Sequence, residues 1–189
     1  MQTLSEILFA SSNKNKFREA RSILSKFGIK LKFLSCHLQE IQADDIEQIA
    51  RDKVIQAFLL CSRPVVVEDD GLFINSLNGF PGPYSSFILK TIGNRGILKL
   101  VSRQRSARFR SVIAYCEKNG DVRLFSAEVL GKISKEEYGK KWGFDPIFIP
   151  RGQRQTYSQL HEKNTTSHRY LALRKLANWY LRKPLSSGQ

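Results

Sequence analysis

Three consecutive carboxylates, Glu68, Asp69 and Asp70, follow directly on the apolar run PVVV at residues 64–67. Adjacent carboxylates repel one another and lose hydration where they are partly buried, so a cationic partner is needed to keep them charged. Neighbouring Lys and Arg side chains meet that need, and so does a metal ion. At the C-terminal end of a central strand, where open α/β sheets place their ligands, two or three carboxylates suit Mg²⁺, which keeps most of its waters and bridges to phosphates. Turn formation with surface ion pairs explains the same triplet without any ligand.

Three other stretches carry chemistry. FASSNKNKF (9–17) leaves an apolar strand through small polar residues and enters a helix that brings Lys14 and Lys16. Unpaired N–H groups and the helix dipole make such a turn an anion site, although it lacks the glycine pattern of a P-loop, and Ser12 or Asn13 also serves as an ordinary helix cap. KWGFDPIF (141–148) sets Trp142 and Phe144 around Gly143, ahead of Asp145. Two aromatics on a glycine hinge either stack on a flat base or plug a core. EKNTTSHRYLAL (162–173) places Ser167, His168 and Arg169 at a helix N-terminus, where helix capping is the plain account.

The elements that must position these residues are legible from periodicity. EILFA (6–10), IKLKFL (29–34) and PVVVE (64–68) read as strands, the last short and central. Helical spacing predicts helices over 13–28, stopped by Gly28, over 44–61, capped by Asp44 or Asp45, and over 167–183, stopped by Pro184. Two strand-like runs around Asn119-Gly120 predict an antiparallel hairpin. Strand–helix units followed by a hairpin give an α/β or α+β fold, a mixed twisted sheet flanked by helices. No linker interrupts it, so residues 1–183 are expected to form one domain, with 184–189 a disordered tail.

With 189 residues, 41% of them hydrophobic, the chain is long enough for a sizeable core. Its three cysteines, Cys36, Cys61 and Cys116, are odd in number and lack zinc-ligand spacing, which argues against a disulfide framework and for a reducing compartment. No apolar run approaches the ~18 residues that span a bilayer, and the first residues lack a basic leader, so a soluble, cytoplasmic protein is expected. A formal charge of +14 gathers anions such as nucleotides or nucleic acids without saying which.

Taken together and in order, SSNKNKFRE, VEDDGLFINSLNGFPGPYS, WGFDPIF and EKNTTSHR resemble the inosine triphosphate pyrophosphatase family, over about Leu8 to Leu181. The resemblance implies a two-lobed fold with a nucleotide cleft between the lobes. The implied reaction is hydrolysis of ITP, dITP and XTP to monophosphate and pyrophosphate, assisted by Mg²⁺. By the same resemblance Ser11, Asn13, Lys16 and Lys53 contact phosphates, Glu40 and Asp69 bind the metal, and Asp69 activates water with Glu68 as a supporting carboxylate. Trp142, Phe144 and Asp145 hold base and ribose. Lys163, Ser167, His168 and Arg169 close over phosphate and read the 6-oxo edge, with Arg169 the expected donor.

The chain departs from the family pattern at Asp70, where Ser or Thr is usual, and at Lys141, where many members have Gly. A homodimer is expected, with Pro81-Gly82-Pro83 and the helix from Ser85 as its contact. Two other readings stand beside this one: a basic nucleic-acid-binding module, which has no need of the acids, and a pyrophosphatase for modified pyrimidine nucleotides, which would lack the SHR segment.

Overall fold

The computed structural model describes residues 6–118 and 121–183. Asn119-Gly120 and the tail 184–189 lie outside the described residues. The chain runs β1 (Ile7–Ser11), α1 (Lys14–Ser25), β2 (Leu31–Ser35), α2 (Ile46–Cys61), β3 (Val65–Ile74), β4 (Pro81–Gly82), α3 (Ser85–Thr91), α4 (Gly93–Leu100), β5 (Ser106–Cys116), β6 (Val122–Ile133), β7 (Phe148–Pro150), α5 (Lys163–Thr166) and α6 (His168–Arg182). The strands form one seven-stranded mixed sheet in the order β2-β1-β3-β5-β6-β7, with β4 added beside β3. β2, β1 and β3 are parallel, whereas β5, β6, β7 and β4 pair antiparallel.

Strand alternation sorts the core into layers. Ile7 and Phe9 of β1, Val66 of β3 and Ile113 and Tyr115 of β5 pack under α1 and α6. Their neighbours Leu8, Ala10, Val65, Val67, Val112 and Ala114 point the other way, against Ile46, Ala50, Val54 and Ala57 of α2. Each fully buried Val or Ile contributes roughly 1.5–3 kcal/mol, so the two faces fix the register of β3 strongly. A separate core gathers Leu72 and Ile74 of β3 with Ala107 and Phe109 of β5, Ile97, Ile133, Phe144, Phe148 and Tyr157. β3 and β5 therefore run through two cores, and residues 68–70 and Ser111 lie between them.

β3 corrects the expected short strand at 64–68. It continues through all three carboxylates to Ile74, so the triplet sits inside the strand and not at its end. Because side chains alternate, Glu68 and Asp70 face α1 and α6 while Asp69 faces α2. On its β1 side, β3 pairs through Val65 and Val66 with Leu8 and Phe9, and then through Leu72 and Phe73 with β4. Between those ladders no strand among the described residues pairs with 67–71 on that edge, and a cleft opens there. Gly71 is required at its rim, since a Cβ would meet the Gly82 carbonyl oxygen at 2.6 Å. Pro81 and Gly82 are buried in this pairing, whereas Tyr84 and Phe87 beside them are exposed. Among the described residues no helix is long and apolar enough to cross a membrane.

Candidate active site

The unpaired edge of β3 borders a cleft of about 220 Å³, and every site residue expected from sequence lines it except Ser167. Ser167 is fully buried and accepts from the Tyr170 N–H at 3.1 Å, so it caps α6 and thereby aims His168 and Arg169. The turn after β1 is also partly self-satisfied. Asn13 Oδ1 accepts from the N–H groups of Asn15 and Lys16 at 3.0 and 3.2 Å, and the Asn13 N–H donates to Ser11 Oγ at 3.0 Å. Two of the helix donors expected to meet a phosphate, the N–H groups of Asn15 and Lys16, are in this way taken by the cap. The Lys16 side chain lines the cleft together with Ser11, Ser12 and Asn13.

On the α2 side, the Lys53 ammonium lies between Asp69 Oδ1, at 2.8 Å, and Glu40 Oε2, at 2.9 Å. Asp69 Oδ2 is buried and has no hydrogen-bond partner. Burial holds the Asp69 carboxyl above the usual carboxylate range despite Lys53 and Lys16. It is a desolvated base with one free oxygen, the condition a proton acceptor needs.

On the other face, Arg169 is 1% exposed and binds three acids. Its Nε donates to Glu68 Oε1 and Oε2 at 2.9 and 2.8 Å, Nη2 to Asp70 Oδ2 at 2.7 Å, and Nη1 to Glu19. Glu68 accepts further from Ser111 Oγ at 2.9 Å. Asp70 Oδ1 accepts from Lys16 at 2.8 Å. Although burial opposes it, Lys16 and Arg169 hold Asp70 well below the usual range. Burial likewise works against the Lys16 ammonium, but Asp70, Glu68 and Asp69 outweigh it and raise its pKa. The triplet's charge is thus offset by cations from α1, α2 and α6, and the guanidinium expected to point at a base is engaged by carboxylates instead.

The surroundings of Trp142 are organised by Glu19, a residue that sequence reading missed. Its carboxylate accepts from Trp142 Nε1 at 2.9 Å, from Lys163 Nζ at 3.1 Å and from Arg169. Its one sequence signal is its place one helical turn after Lys16. Lys163 also donates to Asp145 Oδ2 at 2.6 Å, and both side chains are buried. Lys163 and Arg169 lie 5.3 and 5.1 Å from the Trp142 ring centroid, within cation–π range. Phe144 corrects the expected pair of stacking aromatics: it is 2% exposed and packs edge-on to Phe109 in the second core. Gly143, at φ +69°, makes the turn that separates Trp142 from it. Lys141 ties this loop down, donating to the carbonyls of Leu160 and Tyr157 at 2.7 and 3.3 Å.

His168 is stacked on Phe109 with centroids 3.9 Å apart, and Asp70 Oδ2, 3.9 Å from Nε2, is beyond hydrogen-bond reach. Burial pushes its pKa down to about 4 from an ordinary 6.5. The unfolded chain therefore binds the proton first. The stability tied to a neutral His168 is complete above pH 6.5 and is lost as pH falls toward 4, on the order of 3 kcal/mol in all. Urea unfolding of wild type and His168→Gln at pH 7.5, 6 and 5 checks this: the wild type should lose stability faster on acidification, and parallel curves would contradict it.

Four cations, Lys16, Lys53, Lys163 and Arg169, thus meet six carboxylates, Glu19, Glu40, Glu68, Asp69, Asp70 and Asp145. In a chain of net charge +14 the cleft is locally anionic. An anionic ligand enters it only with added positive charge. Among the described residues no group of three His, Cys, Asp or Glu is arranged to hold a metal by itself. Glu40 and Asp69, with one free oxygen, fit a hard cation that takes few protein ligands and completes its shell with water and ligand oxygens.

Residues 7–179 match the model of the Ham1 family. The dITP/XTP pyrophosphatase of Methanopyrus kandleri is 44% identical over 180 residues, 93% of this chain and 96% of that protein. That of Korarchaeum cryptofilum is 45% identical over 179 residues, 93% and 96% of the two chains. Among solved structures, a HAM1 protein from Coxiella burnetii superposes with a TM-score of 0.80 at 28% identity, covering 95% of this chain and all of that one.

Proposed function

The chain belongs to the Ham1 family, and from that premise we propose that it hydrolyses non-standard purine nucleoside triphosphates, ITP, dITP and XTP, to the monophosphate and pyrophosphate. The observation that carries the mechanism is the free, desolvated Asp69 Oδ2, in one cleft with Lys16 and Lys53 at one end and Trp142 at the other. Asp69 accepts the proton of the water that attacks the α-phosphorus. Lys53, bound to Asp69 Oδ1, holds that carboxylate in place beside the reacting phosphate. Lys16 meets the triphosphate, giving up part of its bond to Asp70 as the phosphate oxygens arrive. Ser11 and Asn13 shape the turn from which Lys16 projects.

Mg²⁺, held by Glu40 and Asp69, would neutralise charge developing on the phosphate oxygens. Such chemistry depends on charge neutralisation and an aligned nucleophile more than on covalent participation. At the other end the base lies against Trp142, and Asp145, Lys163 and Arg169 flank it. Hypoxanthine and xanthine offer an acceptor at position 6 to the donors of Lys163 and Arg169, whereas adenine offers an amino group. Arg169 reads the base only by exchanging part of its bonding with Glu19 or Asp70. Phe144, packed on Phe109, anchors in the core the loop that carries Trp142.

The same proposal places the enzyme in the cytoplasm, acting on the nucleotide pool, as a homodimer whose contact includes the exposed Tyr84 and Phe87. Purified protein should release pyrophosphate from ITP, dITP and XTP with Mg²⁺ and act far more slowly on ATP and on pyrimidine triphosphates. Equal rates on ATP would contradict the assignment.

A further inference from the structure

Glu40 stands on the loop between β2 and α2, and its side chain is 49% exposed. Among the described residues, the only hydrogen bonds made by residues 37–44 are those at Gln39 and Glu40. The carboxylate is held by Lys53, but the backbone that carries it is held by Gln56. Gln56 Oε1 accepts from the Gln39 N–H at 3.0 Å, and Nε2 donates to the Gln39 carbonyl at 2.9 Å. This pair engages both polar groups of one peptide residue as a neighbouring strand would. Nε2 also donates to Asp52 Oδ2 at 2.5 Å, one helical turn back, which fixes which end of the amide faces which partner.

Lys53 and Gln56 are three positions apart and so share one side of α2. Along that side the helix presents an ammonium to the Glu40 carboxylate and an amide to the backbone of the residue before it. We infer that Gln56 is a positioning residue for divalent-cation binding, acting through Glu40. The inference rests on the metal-assisted reading above. Without the amide clamp, Glu40 must be ordered by the cation itself, and the entropy of fixing the loop is then charged to binding.

Mn²⁺ binding to the nucleotide-free full-length protein, read by electron paramagnetic resonance of the free ion, tests this apart from turnover. Gln56→Ala should raise the Mn²⁺ Kd on the order of 10-fold, the size usual for a group that orients a metal ligand. Gln56→Glu keeps the side-chain size, removes the donor to Gln39 and sets a charge beside Asp52, so it should weaken binding in the same direction. Glu40→Ala should weaken binding further, and adding Gln56→Ala to it should change nothing more, because the two then act through one group. An unchanged Kd in both Gln56 variants would overturn the inference while leaving the metal-assisted reading intact. So would a Gln56→Ala effect that persists in full without Glu40. If Glu40→Ala itself leaves the Kd at the wild-type value, the metal-assisted reading falls and the role of Gln56 falls with it.

Discussion

Asp69→Asn is expected to lower kcat by ~10²–10⁴-fold, the usual cost of a lost general base, with any loss of metal charge in addition. The fold should be retained. The amide has the shape of the carboxylate and still accepts from Lys53 at the Oδ1 position, 2.8 Å from the ammonium. Burial disfavours the charged form of Asp69, so a neutral amide removes a desolvation cost as well as the negative charge that faces Lys53. Asp70→Asn is the control one residue away and on the opposite face of β3. It loosens Lys16 and Arg169 but removes no base. Measured kcat and urea midpoints for both variants decide the matter, since wild-type turnover in Asp69→Asn with a collapse in Asp70→Asn would put the base on the α6 face.

Arg169→Ala is expected to have the largest effect on stability, about 3–5 kcal/mol, because breaking a buried ion pair from one side leaves uncompensated charge. Here it leaves Glu68, whose side chain is 0% exposed, without a cation, and takes one cationic partner each from Asp70 and Glu19. Lys cannot replace the guanidinium, because Nε, Nη1 and Nη2 each serve a different carboxylate and an ammonium is a single point charge. Arg169→Lys should therefore also lower the midpoint, by less. Activity should fall with stability, as Asp70 then pulls harder on Lys16 and the Trp142 face loses one of its two cations. An unchanged thermal midpoint with a reduced preference for ITP over ATP would show instead that Arg169 serves the base alone.

The early strands and the long helices were readable because their apolar residues repeat with the right period and because β1, β3 and the two longest helices are buried on the faces that period selects. The far half of β3 was not readable from local pattern. EDD looks like a strand end because three charges do not ordinarily enter a core. They do so here because Lys16, Lys53 and Arg169, 52, 16 and 99 or more positions away, supply the compensating charge. The cleft residues were legible as a set, through four motifs in order. Their individual tasks were less so: Ser167 and Asn13 turn out to cap helices, and Phe144 belongs to the core. Glu19 sits in an ordinary amphipathic helix, and only the arrival of Trp142, Lys163 and Arg169 from the far end of the chain marks it.

Attack on the α-phosphorus by water aligned on Asp69, the step proposed above, is tested most directly by the position of a solvent oxygen. ITP hydrolysed in ¹⁸O-labelled water by the purified enzyme should give inosine monophosphate carrying one labelled oxygen and pyrophosphate carrying none. Label in the pyrophosphate, or label in orthophosphate as the first product, would place the attack on another phosphorus and contradict the account.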